Sequence, residues 1–226
     1  MHLLSKFLVG AALYLSSQAL VAQTLYAGYL NTIQNTLQYD GKHFTGTLSP
    51  LVNCINLKSA LDMQPLPAAI DSLIQGLSDG SIEIVIGLVA DDARDAVATA
   101  SKPILRLPAM LISREAFDPK QLSDVLVSTA RGSAYAHALK RADAIIQYAD
   151  SYNGALEQFF NGDVEAAVIP KASMSMSADM IDDNLFVAPF SEDRIVYYVS
   201  NRSPQADAYL EAIGNGINNC MVQTKR

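Results

Sequence analysis

Tryptophan is absent from this 226-residue chain, and cysteine and histidine are nearly so, at two and three residues. So few ligating side chains leave no HExxH or paired-histidine spacing for a metal, and two cysteines exclude a disulfide-dense mini-domain. Charge is sparse as well: 17% of residues are charged, with 16 Lys and Arg against 23 Asp and Glu. A formal net charge of −7 without a basic run makes a poor nucleic-acid binder, because contacts to phosphate dominate that affinity. No stretch reaches the roughly 18 uninterrupted apolar residues that a membrane-spanning helix needs. What is present is globular: half the residues are apolar. The length suits one large domain or two lobes, with a core that stands without metal.

Residues 1–22 form a separate object. Lys6 precedes an apolar run from Phe7 to Leu15 that only Gly10 interrupts, and Ser17-Gln18-Ala19 is a small-x-small cleavage site with Ala22 as a second. This order is that of a secretory signal peptide; the alternative is a buried N-terminal helix. Cleavage near Ala19 or Ala22 implies an exported, periplasmic, soluble protein. No cysteine near the cleavage site offers a lipid attachment point. In an oxidising compartment an even cysteine count implies a disulfide, here Cys54 with Cys220. Closing so long a loop is worth ~5 kcal/mol in the chain-entropy model. Two separately buried thiols are the alternative.

Along the remaining chain the pattern predicts a strand over Leu25 to Leu30, a turn at Tyr39-Asp40-Gly41-Lys42, and a helix over Leu51 to Leu61. Pro65 and Pro67 interrupt the chain. A helix over Ala68 to Leu77 stops at Asp79-Gly80, before a buried strand at Ile82 to Gly87. The second half predicts strands at Leu107–Ser113, Val125–Ser128, Ala144–Tyr148, Ala166–Ile169 and Arg194–Ser200. Its predicted helices are a short one after a turn at Asp118–Leu122, then Ala134–Arg141, Asn153–Asn161 and Pro204–Cys220. This rhythm implies an α/β fold with mostly parallel sheets.

Catalytic motifs are poorly supplied. His43 and His137 stand alone, and Gly132-Ser133 lacks the Gly-x-Ser-x-Gly elbow. Asp91 and Asp92 before Arg94 read, on their own, as a solvated charged loop. Met174, Met176 and Met180 offer thioethers to Cu(I), but no Cys or His stands beside them, and packing is the reading preferred. No cofactor or metal is expected. One feature suggests a ligand: Gly132-Ser133 sits where a strand turns into a helix, so free backbone N–H groups favour an anion there.

The order of segments resembles the periplasmic solute-binding proteins of ABC transporters, in the class carrying polar amino acids. The likeness runs from Leu25 to about Cys220. It rests on Tyr39-Asp40-Gly41-Lys42-His43-Phe44-Thr45-Gly46, on Leu77-Ser78-Asp79-Gly80-Ser81-Ile82-Glu83, and on Gly87 with Arg94 seven residues on. Ser101-Lys102-Pro103, the Gly132-Ser133 turn and Phe160-Asn161-Gly162-Asp163-Val164-Glu165-Ala166 complete the set. The resemblance implies a two-lobed type II fold, each lobe a mostly parallel sheet flanked by helices. Residues 24–106 plus 194–226 would form the first lobe and 107–193 the second, placing Cys54 and Cys220 together.

The resemblance further implies binding without chemistry: a monomer capturing a small solute for a membrane permease. Arg94 would fork onto a carboxylate. Gly87, Gly132, Ser133, Arg131 and Tyr29 are the other expected ligand contacts. Alternatives are a ligand-sensing partner of a membrane receptor, or an exported lyase or dehydratase on the same fold. The departures are specific. Pro170 stands where the family keeps the acid that holds a ligand ammonium, Ile33 and Ile70 stand at aromatic positions, and Pro50 replaces an acid in the first helix. The segment from Glu83 to Arg94 is one residue short. The expectation is therefore an anionic ligand without an essential ammonium, held by Arg94 and Arg131 from opposite lobes. In the competing reading another acid, such as Asp91 or Glu192, replaces the missing one.

Overall fold

Short apolar runs assemble into one mixed sheet in the computed structural model, which describes residues 24–30, 36–174 and 184–223. The first half of the chain contributes β1 (Leu25–Leu30), the hairpin β2 (Gln38–Tyr39) and β3 (Phe44–Thr45), α1 (Ser49–Ser59), β4 (Met63–Ala68), α2 (Ile70–Asp79), β5 (Ile84–Val89), α3 (Asp92–Asp95) and β6 (Ala98–Ala100). Then come β7 (Leu105–Ser113), β8 (Leu126–Ala130), α4 (Ala134–Arg141), β9 (Ile145–Ala149), α5 (Tyr152–Asn161), β10 (Ala166–Pro170), α6 (Lys171–Met174), β11 (Phe186–Ser200) and α7 (Ala206–Gln223). The signal-peptide segment, Ile33, Met176 and Met180 lie outside the described residues.

The strand order is β4-β1-β5-β11-β7-β10-β8-β9, with β6 also on β11. β4, β1 and β5 are mutually parallel, as are β10, β8 and β9. Between these blocks lie β11 and β7, paired antiparallel to each other and to their outer neighbours. This is an α/β fold of the two-lobed type II periplasmic-binding-protein kind, with β7 and β11 as the strands shared between the parallel blocks.

Three predicted elements need correction. Pro65 and Pro67 do not interrupt the chain: they lie in β4, the edge strand, opposite Ala27 and Tyr29 of β1. Proline is tolerated on an edge because its missing donor can face the open side. Asp118–Leu122 holds turns and no helix. The Asp118 carboxylate accepts from Lys120 N at 2.9 Å and its carbonyl from Gln121 N at 2.9 Å, a local closure that competes with helix. The last strand begins at Phe186, not Arg194, because its early part pairs along β7 from Phe186↔Ser113 onward.

Two apolar clusters flank the first block. On one face Val52, Ile55, Ile84, Ile86, Ile213 and Ile217 pack between α1, α7 and the sheet. On the other, Leu73, Leu77, Val85 and Leu88 join residues of the second half such as Val127 and Phe159. Along β5 the faces alternate until Gly87 (φ +79°), where β11 slips register between Val196 and Tyr197. This bulge inserts one residue and exchanges the faces beyond it: Ile84 and Ile86 share the α1–α7 face with Val89, whereas Val85 shares the other with Leu88.

The expected disulfide is present. Cys54 of α1 and Cys220 of α7 are bonded with their Cα atoms 6.0 Å apart, closing a sequence separation of 166. Gly216 lets the same two helices approach, since a Cβ there would lie 2.7 Å from the Ile55 carbonyl oxygen. Among the described residues no helix is long and apolar enough to cross a membrane. No group of three His, Cys, Asp or Glu among them could hold a metal ion.

Candidate functional site

The Gly87 bulge delivers the β5–α3 loop to the junction of the two halves. Asp91 caps α3, its Oδ1 accepting from Ala93 N at 2.8 Å, and Tyr198 Oη accepts from Asp91 N at 2.9 Å. That cap turns Arg94 inward, where it is 2% exposed. Its guanidinium donates from one terminal nitrogen to the Val89 carbonyl and from the other to the Gly132 carbonyl at 2.9 Å. Nε is buried without a partner, and no carboxylate among the described residues lies within ion-pair distance. Arg94 is therefore not part of the solvated charged loop that Asp91, Asp92 and Arg94 suggest on their own.

Across the junction, Ser133 caps α4, its Oγ accepting from Ala136 N at 3.3 Å and lying 3.3 Å from Thr129 Oγ1. Gly132 is required twice over. Its φ is +68°, and a Cβ would lie 2.0 Å from Asp71 Oδ1 of α2. The halves also meet where His137 Nδ1 of α4 contacts Asp91 Oδ2 at 2.8 Å.

Arg94, Gly87, Tyr135, Tyr152, Pro170 and Asp193 surround a cavity of about 50 Å³ between the halves. Ile70 lines it as well. Asp193, 7% exposed, accepts from Tyr135 Oη and Ser191 Oγ at 2.6 Å each. Burial holds the Tyr135 phenol well above its ordinary range, with the Tyr152 and Asp193 charges acting in the same direction. Burial also raises Tyr152, against the opposing pull of the Arg94 charge. Both phenols are therefore hydroxyl groups at neutral pH. The centre joins one buried cation, one buried carboxylate and two hydroxyls around one small cavity.

The residues singled out in the sequence divide. Arg94 and Gly87 line the cavity, and Gly132 joins it through the Arg94 hydrogen bond. Ser133 is fully buried behind the turn. Arg131 does not oppose Arg94: it is exposed, with its guanidinium over the Tyr148 ring at 5.2 Å. Tyr29 lies in the α1-side core, edge-on to Phe44 at 5.4 Å, and is absent from the cavity lining. Asp193, Tyr135 and Tyr152 went unnoticed. Asp193 lay outside the predicted strand, so nothing marked it as inward-facing; the neighbouring Glu192 is exposed and 3.9 Å from Arg106.

No family model matches the chain, and no curated protein matches it in sequence. Solved structures do match in fold. The BvgS VFT2 domain of Bordetella pertussis aligns with a TM-score of 0.69 at 18% identity, over 86% of this chain and 87% of that one. The GluR0 ligand-binding core in complex with L-glutamate gives 0.70 at 16% identity, over 90% and 96%. An ancestral arginine-binding protein bound to arginine gives 0.70 at 19% identity, over 89% and 93%. At such identities the likeness is one of fold.

Proposed function

We propose that the protein is an exported binding protein, localised to the periplasm, that captures a small carboxylate-bearing solute between its lobes and delivers it to the permease of an ABC transporter. The observation carrying this reading is Arg94, a buried guanidinium at an interlobe cavity with an unpartnered Nε and no carboxylate in ion-pair range among the described residues. An unpaired buried charge is costly, and a ligand carboxylate would offset that cost through charge-assisted hydrogen bonds. The structural neighbours named for glutamate and arginine binding lend support of the same kind. The role is binding without chemistry.

In this reading residues 24–106 and 194–226 form one lobe and 107–193 the other, hinged across β7 and β11. The cavity's 50 Å³ falls short of the roughly 300 Å³ at which small-molecule sites begin, so the lobes part to admit a solute and close on it. Entry replaces the Gly132 carbonyl on Arg94 with the solute. A second reading, a ligand-sensing partner of a membrane receptor, is favoured by the likeness to the BvgS VFT2 domain.

A thermal-shift screen of the protein lacking residues 1–22 against amino acids, dicarboxylates and small amines tests the reading. A true ligand at 100 times its dissociation constant stabilises the fold by about 2.7 kcal/mol. If every compound leaves the melting temperature unchanged, the reading fails. Uptake of the identified solute by cells expressing the protein with a candidate permease then separates transport from sensing.

A further inference from the structure

We infer that His137 and Asp91 form a clasp between the two halves, through which protons tighten the closed form and so its hold on a solute. This deepens the proposed reading and rests on its statement that the halves are lobes that part and close. His137 is a positioning residue: neither it nor Asp91 lines the cavity.

α4 turns two different side chains toward the first half. Tyr135 faces the cavity, and His137, about 200° further round the helix, faces an outer groove lined also by Asp71, Gln75, Ala93 and Gly132. There His137 Nδ1 lies 2.8 Å from Asp91 Oδ2, the two side chains being 34% and 6% exposed. Asp91 is fixed from its own half. Its Oδ1 accepts from Ala93 N at 2.8 Å, and Tyr198 Oη accepts from its backbone N–H at 2.9 Å.

A buried carboxylate is costly without a counter-charge. Among the described residues no Lys or Arg forms an ion pair with Asp91, and the imidazole of His137 is the group that reaches it. A neutral imidazole gives the carboxylate one hydrogen bond, whereas a protonated one gives it a charge-assisted bond. Parting the lobes separates the two groups and returns both to water. Acid therefore favours closure, and the advantage is lost as pH rises through the range of histidine. A solute that also favours closure is held more firmly at the lower pH.

Other charges stand on the elements that meet here. They are Asp71 at the start of α2, Asp92, Arg94 and Asp95 of α3, and Lys140 and Arg141 at the end of α4. β8 and β9, which pack against α4, carry none, and Arg131 between β8 and α4 is exposed over Tyr148. Of these residue types only histidine changes charge between about pH 5 and 8. His43 and His137 are the histidines left once residues 1–22 are removed. His43 is exposed and contacts Asp40 within its own turn, so it spans no junction.

The test is a distance measurement that needs no solute. Spin labels are attached to the protein lacking residues 1–22 through Lys58→Cys of α1 and Glu157→Cys of α5, exposed positions on opposite halves. The native cysteines are bonded to each other and take no label. Pulsed spin-resonance distances should show the closed-to-open ratio about threefold or more higher at about pH 5.5 than at about pH 8. His137→Ala should remove that difference and favour the open form. His137→Asn keeps a donor near Nδ1 without a charge, so it should be flat in pH yet more closed than His137→Ala. Asp91→Asn should also be flat, and serves as the readout if His137→Ala does not fold. His43→Gln should keep the full response. A response that survives His137→Ala, or no response in the unsubstituted protein, would overturn the clasp. One unchanging distance under every condition would overturn the parting of the lobes along with it. A clasp that responds as expected, beside a thermal-shift screen without a hit, would sink solute capture and leave the proton response standing.

Discussion

The two faces of the β1–β5 block are both apolar but differ in what else they bury. Toward α1 and α7 the packing is apolar, aliphatic and aromatic together, fastened by Cys54–Cys220, and the Tyr197 hydroxyl is satisfied by Asn56 Oδ1 at 3.0 Å. Toward the second half the sheet buries Arg94, Asp193 and the hydroxyls of Tyr135, Tyr152 and Tyr198. Apolar burial contributes stability in proportion to area, whereas buried charges cost stability unless fully paired. Apolar burial on both sides of the sheet holds the fold, and the side toward the second half adds buried charges to it. The disulfide and the buried charges are thus separated by the thickness of one strand layer.

Alkali should break that arrangement most severely. Tyr135, Tyr152, Tyr197 and Tyr198 all have phenol values raised by burial, Tyr198 to about 12. In the unfolded chain a tyrosine ionises near 10, so above that pH the unfolded state binds fewer protons than the folded one. Stability is fully present below about pH 10 and falls as pH rises from there through the folded-state values. Urea midpoints measured between pH 8 and 12 should decline steeply above 10; a flat profile would contradict the burial of these phenols.

The disulfide separates the faces more sharply. Replacing Cys54 and Cys220 by Ser should cost ~5 kcal/mol, with a fall in melting temperature on the order of 10–20 °C. Ligand affinity below the transition should be unchanged, because the bond lies away from the cavity. Altered affinity in the folded variant, by calorimetry, would show that the faces are coupled. Arg94→Ala is the converse. Binding should weaken by roughly 1.5–3 kcal/mol, while the melting temperature moves little. An early melt with intact affinity would make Arg94 structural.

Two glycines of α7 give the finest comparison. Gly216→Ala, against the Ile55 carbonyl at 2.7 Å, should destabilise by about 1–3 kcal/mol. Gly214→Ala meets nothing within 4 Å and should gain up to about 1 kcal/mol of helix propensity. Opposite signs in chemical denaturation are expected; equal signs would mean that α1 and α7 are not in such close approach.

Local pattern made part of this legible. Leu25–Leu30 and Ala134–Arg141 carry their own periodicity and boundaries, and both elements match the sequence residue for residue. β4 was hidden because proline argues against a strand, and only the sheet order reveals that it is an edge. The family resemblance singled out Arg94 and Gly87, and both line the cavity. Asp193 was not legible. Its inward direction depends on a strand that starts at Phe186 through pairing with distant β7, a contact that no local window contains. Arg131 misled for a related reason, since charge type says nothing about which side of a turn a side chain leaves.

The pair β7–β11 has a mechanical consequence. Its strands run side by side from Ile195↔Leu105 to Phe186↔Ser113, so they form a ribbon and not a single tether. A ribbon resists twisting and stretching but bends across its plane, in the manner of a leaf spring. Its irregular point is the register slip between Pro189 and Ser191, where Phe190 packs edge-on to Tyr135 at 6.5 Å. Asp193 stands just beyond that point on the same strand. In the proposed reading, flexure there displaces the carboxylate relative to α4, so bending that parted the lobes would also strain the Tyr135–Asp193 hydrogen bond. Opening the gap and loosening the grip on a solute would then be a single stroke.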